Sequence, residues 1–317
     1  MTDDAGEDSG DDTDELAAVL ETVRERVTPD AAEREAMERV VDEVTERAAT
    51  AVADLPVDAR VRQVGSTARD TWLAGDRDVD IFVCFPPDLD RETLEEYGLA
   101  VGRAVLPEGV EEFAEHPYVV GEVDGFEVDL VPCYDVDDAT AIQSAVDRTP
   151  FHTAYLEGQV DERVAGDVRL LKQFLTGIGA YGSDLRTRGF SGFLTELLVL
   201  EFGSFEAVCR AAADWHPPVD LDPAGHGTAT DFEAPLVVVD PTDPGRNVAA
   251  VCSEANLARF QHYVRELLAG PREALFEPRE PDPIDADVLR THLERRGTTP
   301  VAGQRVHLTV DGERVGN

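Results

Sequence analysis

Three aspartates and one glycine-serine pair have the types and spacing that could carry chemistry. In the apolar run Val79 to Phe85, closed by Pro86-Pro87, a strand would alternate its side chains. Asp78, Asp80, Phe82 and Cys84 would then share one face, and Val79, Ile81, Val83 and Phe85 the other. In Phe126 to Cys133 the same alternation groups Phe126, Val128 and Leu130 and leaves Asp129 opposite them. If the two strands are neighbours, three carboxylates converge. Such a cluster repels itself unless hard cations intervene, and oxygen donors suit Mg²⁺. Two such ions held about 3.5–4 Å apart activate an attacking hydroxyl and neutralise a leaving phosphate. Gly65-Ser66 supplies the other half of the chemistry. Glycine permits close backbone approach, amide hydrogens at a helix start attract phosphate with the Ser66 hydroxyl, and Arg69 one turn on adds a charge-assisted contact.

Neither element means much alone in so acidic a chain. Asp88-Leu89-Asp90 and Asp220-Leu221-Asp222 repeat the paired acids in turn-like contexts, and Gly182-Ser183 and Gly203-Ser204 repeat the turn without a carboxylate strand downstream. Only once does a strand (Val61 to Val64) lead through Gly-Ser and a helical stretch to Trp72 into a hydrophobic strand with paired Asp.

The surrounding elements follow from period and punctuation. Residues 1–13 read as a disordered acidic tail. Two helices between Asp14 and Leu55, broken at Thr28-Pro29-Asp30, lead in. A helix spans Asp90 to Leu106, and Asp124-Gly125 joins Tyr118–Val123 to Phe126–Cys133 as a type I′ hairpin. After Thr149-Pro150 helices dominate: Asp161 to Leu175, Ser191 to Phe202, Phe205 to Trp215, and Ser253 to Leu268. Between them lie a loop from His216 to Ala234, a strand Leu236 to Val239 and a turn Asp240 to Gly245. A helix from Ile284 to Arg296 precedes a short apolar C-terminal strand. This gives an α+β chain: a mixed-sheet head over 14–150, a mostly helical central domain over 151–270, and the start of a C-terminal α/β part over 271–317.

The formal charge is -38, from 66 acidic against 28 basic residues, and Lys172 is the sole lysine. An ordinary domain so charged would repel itself at low salt, whereas at molar salt the Debye length shrinks to about 3 Å. The acidity therefore reads as adaptation to a high-salt cytoplasm, with an acidic partner surface as the other reading. No run approaches a membrane span and the N-terminus is acidic, which points to the cytoplasm. Cys84, Cys133, Cys209 and Cys252 form no Cys-x-x-Cys pair and read as reduced, and the seven histidines show no zinc spacing.

The Gly-Ser and paired-acid conjunction resembles the polymerase-β-like nucleotidyltransferases. Further blocks are similar to the archaeal, class I, CCA-adding enzymes: Val64 to Leu73, Glu115 to Val119, Val128 to Tyr134, Ala145 to His152, Arg188 to Phe193, and Asp240 to Ala249. The resemblance runs from about residue 15 to 300. It implies template-free rebuilding of the tRNA CCA end from CTP and ATP: the tRNA 3′-hydroxyl attacks the α-phosphate and pyrophosphate leaves. It also implies that Asp78, Asp80 and Asp129 hold Mg²⁺, that Ser66 and Arg69 hold the triphosphate, and that His152, Lys172 and Tyr181 hold the nucleotide. Arg246 would help recognise the base, and Arg188 joins the nucleotide-binding set.

Each has a plainer reading. Lys172 could be a surface cation, although its survival where all other lysines have gone argues for a compact point charge on phosphate. His152 could cap or pack, Tyr181 and Trp72 could be core aromatics, and Arg188 and Arg246 could be ordinary ion-pair partners. Since phosphate contacts need cations, Arg60, Arg62, Arg186, Arg188 and Arg246 are candidates for one basic face toward tRNA. Expected partners are the tRNA 3′ end, ATP and CTP, with pairing of two copies open and no membrane. The family's chains continue past this length, so a truncated or frameshifted chain is expected. Two alternatives to CCA addition stay open: another RNA nucleotidyltransferase of polyadenylating type, and a catalytically impaired tRNA-binding fragment.

Overall fold

Alternation in the Asp-bearing segments builds the central sheet. A computed structural model describes residues 11–278, Arg290, 308–310 and 313–315. Strands β1 (Arg60–Val64), β2 (Asp78–Phe85), β3 (Val110–Phe113), β4 (Pro117–Val123) and β5 (Phe126–Tyr134) lie in the order β1-β2-β5-β4-β3. β2 and β5 run parallel and the other neighbours antiparallel, so the sheet is mixed. The β4–β5 turn has φ of 50° at Asp124 and 81° at Gly125, the two positive angles a type I′ hairpin needs. The short edge strand β3 carries no sequence signal, because all four of its residues are exposed.

One face of the sheet buries Val79, Ile81, Val83, Phe85, Val128 and Leu130 under α2 (Ala31–Ala53) and α3 (Arg91–Val105). The opposite face carries the smaller cluster Val64, Phe82, Cys84, Val131 and Cys133. Each fully buried large aliphatic or Phe side chain is worth about 1.5–3 kcal/mol. A one-residue slip of β2 would put Asp78 and Asp80 under the helices, so this apolar face fixes which way the carboxylates point. α3 lies close to the sheet because Gly102 has no side chain; a Cβ there would meet the Val119 side chain at 2.4 Å. Asp30 with Glu33 forms a capping box on α2, and Asp90 caps α3.

A second core joins α5 (Glu162–Gly177), α6 (Gly192–Phe202), α7 (Phe205–Ala213) and α8 (Glu254–Ala269) around Phe174, Phe190, Phe205, Phe260 and Phe276. Its phenyl rings meet at centroid distances such as 5.4 Å for Phe174 and Phe276. The two lead-in helices part company here. α1 (Asp11–Val27) places Leu16, Leu20, Val23 and Val27 in the helical core, while α2 packs on the sheet. α1 begins at Asp11, inside the stretch read as a tail, whose residues 1–10 lie outside the described residues.

The short α4 (Thr149–Leu156) links the two halves. β6 (Val219–Leu221), β7 (Leu236–Asp240) and β8 (Asp243–Asn247) form a small sheet. Within the expected turn over 240–245 the chain turns at Pro241-Thr242, while Asp240 ends β7 and Asp243 begins β8. The Asn247 side chain explains it: Oδ1 accepts from the Val238 and Ala249 amides, and Nδ2 donates to the Leu236 carbonyl. All four cysteines are buried free thiols. Among the described residues no helix is long and apolar enough to cross a membrane.

From Arg279 the chain forms a separate unit, whose described part holds the antiparallel pair β9 (Leu308–Val310) and β10 (Glu313–Val315). The helix expected over 284–296 lies outside the described residues apart from Arg290, which is helical.

Candidate active site

The parallel pairing of β2 and β5 sets Asp80 directly beside Asp129, with Asp78 beside Glu127 two residues earlier on each strand. Asp80 and Asp129 are half-buried and Asp78 is exposed. Burial, then the charge of Asp78, pushes the Asp80 carboxyl up to about 6, with Arg69 opposing. Burial and then Asp80 push Asp129 up to about 7. Tyr118 closes the far side; burial and the Asp129 charge push its hydroxyl up to about 12. The three expected carboxylates thus share one side of the sheet and feel one another electrostatically. Among the described residues no three His, Cys, Asp or Glu side chains are drawn into a ready-made cation cage. The donor set nevertheless fits a divalent cation: two adjacent hard oxygen donors hold each other's protons on, and a cation would relieve that repulsion.

Gly65 sits against Asp80. Its φ is 75°, and a Cβ there would lie 2.1 Å from Asp80 Oδ2, so glycine is required for both conformation and space. Beyond Ser66 the chain departs from the expected helix to Trp72. Only Thr67–Arg69 forms a single 3₁₀ turn, and Asp70 then adopts a left-handed conformation with φ of 54°. Arg34 and Arg169 hold the Asp70 carboxylate, and Arg169 also donates to the Asp70 and Trp72 carbonyls, which bends the chain away. Ser66 precedes the turn, its carbonyl accepting from the Arg69 and Thr71 amides, while its hydroxyl caps nothing. Trp72 is 2% exposed in the sheet core, the packing role.

Arg69 and Lys172 meet in a buried seam between the sheet and the helical half. Arg69 Nε and Nη2 donate to Glu196 at 3.1 and 2.9 Å, and Nη1 donates to Thr153 Oγ1 at 3.1 Å. Thr71 Oγ1 donates to the same Glu196 at 2.6 Å. Lys172 is 3% exposed, so it is no surface cation, and its Nζ donates to the Thr71 carbonyl at 2.8 Å. Burial pulls its ammonium down to about 8, with Glu196 opposing. Tyr181 adjoins this seam; burial and then Glu196 push its hydroxyl well up.

A second group gathers at β7. His152 Nε2 lies 2.8 Å from Asp240 Oδ2, and Arg246 Nη1 donates to the same oxygen at 2.8 Å. The His152 ring stacks on Phe193 with centroids 3.7 Å apart. Burial pulls the His152 imidazolium below its ordinary value, with the Asp240 bond opposing. Although burial opposes it, His152 and the Thr242 donors hold the fully buried Asp240 well below the usual carboxylate range. Arg188 is exposed on the 182–188 loop with φ of 50°, its backbone carbonyl held by Ser253 and Asn256. Of the other expected basic residues, Arg60 and Arg62 pair with Asp135, and Arg186 is exposed.

Sequence reasoning passes over Glu196, Thr71 and Asp240. Glu196 has a signal: it is the lone charged residue in the stretch Phe193 to Leu200, where Thr195 is the only other polar one. Asp240 ends an apolar strand just as Asp78 and Asp80 begin one, but the prolines and glycine after it give it the look of a turn residue.

The mixed sheet, the Gly-Ser turn and the in-register aspartates define the polymerase-β-like nucleotidyltransferase fold. Residues 22–152 match the nucleotidyltransferase domain family, and residues 166–277 match the tRNA nucleotidyltransferase second domain. The chain is 64% identical over 290 residues to the CCA-adding enzyme of Haloarcula marismortui, covering 92% of this chain and 62% of that one. It is 65% identical to that of Halorubrum lacusprofundi, covering 91% and 62%, and 43% identical to that of Methanosarcina mazei, covering 88% and 62%. A solved structure of the Cid1 poly(U) polymerase shares the fold with a TM-score of 0.64 at 14% identity, covering 84% of this chain and 99% of that one. The chain is thus similar to archaeal CCA-adding enzymes along most of its own length, and it spans about 62% of the length of the first relatives it matches.

Proposed function

We propose that the chain carries the nucleotide-transferring part of a CCA-adding enzyme, extending the tRNA 3′ end from CTP and ATP with release of pyrophosphate. The observation that carries this reading is the in-register pair Asp80 and Asp129 with Gly65 packed against Asp80. Enzymes of this family use divalent metal ions, and Mg²⁺ is the ion proposed here. Asp80 and Asp129, joined by the exposed Asp78, would hold it; when bound it supplies charge neutralisation at the reacting phosphate.

The protein's own groups do the rest. The Gly65-Ser66 turn presents backbone and hydroxyl to the triphosphate, and Arg69 and Lys172 supply its counter-charge. His152, stacked on Phe193, and Arg246 face the nucleotide, with Tyr181 and Arg188 at its margin. The working solvent is a high-salt cytoplasm.

The test is incorporation at molar KCl with Mg²⁺, labelled CTP or ATP, and tRNA ending in -N, -NC or -NCC. Ordered addition of C, C and A is expected. Unselective A-tailing of any RNA end would favour a polyadenylating enzyme, and tRNA binding without labelling a non-catalytic fragment. Asp80→Ala should reduce addition by about a thousandfold or more, because metal stabilisation of phosphoryl transfer is worth several kcal/mol, while the fold persists.

A further inference from the structure

Glu196 is fully enclosed, at 0% exposure, on the mostly apolar α6. A buried carboxylate is stable only if its oxygens are filled, and these are filled entirely from the sheet side of the seam. We infer that Glu196 is a positioning residue that aims the Arg69 guanidinium at the triphosphate. This rests on the reading of Arg69 as a triphosphate contact.

The geometry supports it at each step. A guanidinium has five N–H groups. Glu196 takes two along the Nε and Nη2 edge, and Thr153 takes one from Nη1. Two remain, one on each terminal nitrogen, and the bidentate clamp fixes the plane in which they lie. Such a planar fork suits the oxygens of a polyphosphate. The clamp also joins the halves, because Arg69 follows the Gly-Ser turn whereas Glu196 comes from the helical half. The same carboxylate accepts from Thr71, whose carbonyl holds the Lys172 ammonium. The direct clamp is on Arg69 alone, and it leaves two of that guanidinium's donors free for a ligand.

The test is CTP binding without RNA, measured by calorimetry at molar KCl with Mg²⁺, beside the melting temperature of each variant. Glu196→Gln keeps the shape and removes the charge. We expect its CTP affinity to fall about tenfold, the scale of one charge-assisted contact. Arg69→Ala should lose affinity similarly. The double variant should bind no more weakly than Arg69→Ala alone, because Glu196 acts through Arg69. Glu196→Asp keeps the charge one methylene short and should give an intermediate loss; it carries the test if Glu196→Gln does not fold. Affinity within about twofold of wild type, with only the melting temperature lowered, would overturn the inference, as would additive losses in the double variant. A wild-type chain that binds CTP yet adds nothing to tRNA would overturn the proposed reaction, while the binding cycle still decides the role of Glu196.

Discussion

Asp80 and Asp129 stand in register on parallel strands, and the acidity of each is weakened by burial and by neighbouring carboxylates. Their effect on stability has a definite sign. Carboxyls raised in the folded state make the metal-free protein gain stability as pH falls from about 7 toward the ordinary carboxylate value, and lose it as pH rises through that window. Added Mg²⁺ should therefore raise the melting temperature at pH 8 and have little effect below pH 5; an equal shift at both would place the metal elsewhere. Asp129→Asn should raise the melting temperature of the metal-free protein by about 2 °C at pH 8 while abolishing nucleotide addition. Lys172 gives a second titration. Its ammonium is pulled down to about 8, so CTP affinity should weaken as pH rises through that value. A flat affinity from pH 7 to 9 would remove Lys172 from the triphosphate site.

At the scale of elements, the turn between β1 and β2 brings Gly65 and Ser66, the proposed phosphate contacts, to the carboxylates. Gly65→Ala should cost about 1–2 kcal/mol for the left-handed backbone alone, and it would also displace Asp80. Loss of transfer should then exceed what the lowered melting temperature explains, as single-turnover rates would show. The sheet is legible in the sequence because β2 and β5 alternate strictly where they carry the aspartates, and their apolar faces leave the three acids no other side to occupy. β3 is not legible, since its exposure erases any pattern. The helix expected after Ser66 fails for a distant reason: Arg34 and Arg169, far off in sequence, hold Asp70 in a conformation no local propensity favours. The Arg69 and Lys172 seam is half legible. Lys172 stands out as the sole lysine and Arg69 by its place after Gly-Ser, whereas Glu196 is one acid among 66 and its meaning depends on burial that only tertiary packing creates.

Across the whole molecule, the charge of -38 makes solvent part of the fold. Raising KCl from about 0.1 to 1 M shortens the Debye length from about 10 to about 3 Å, so the melting temperature should climb steeply over that range. A melting temperature independent of salt would mean that the carboxylates are already compensated by pairing.

The placement of α1 bears on how the chain is made. Its apolar stripe belongs to a core whose other members come much later; Arg24 and its partner Asp167 are 143 residues apart. At ~5–20 residues per second, synthesis takes roughly seven to thirty seconds to cover that gap. The intervening sheet half has its own core and can close in the meantime, while α1 waits outside it with Leu16, Leu20, Val23 and Val27 uncovered. α1 is thus made well before the rest of its own core, and until that core arrives its apolar stripe has nothing in the helical half to pack against.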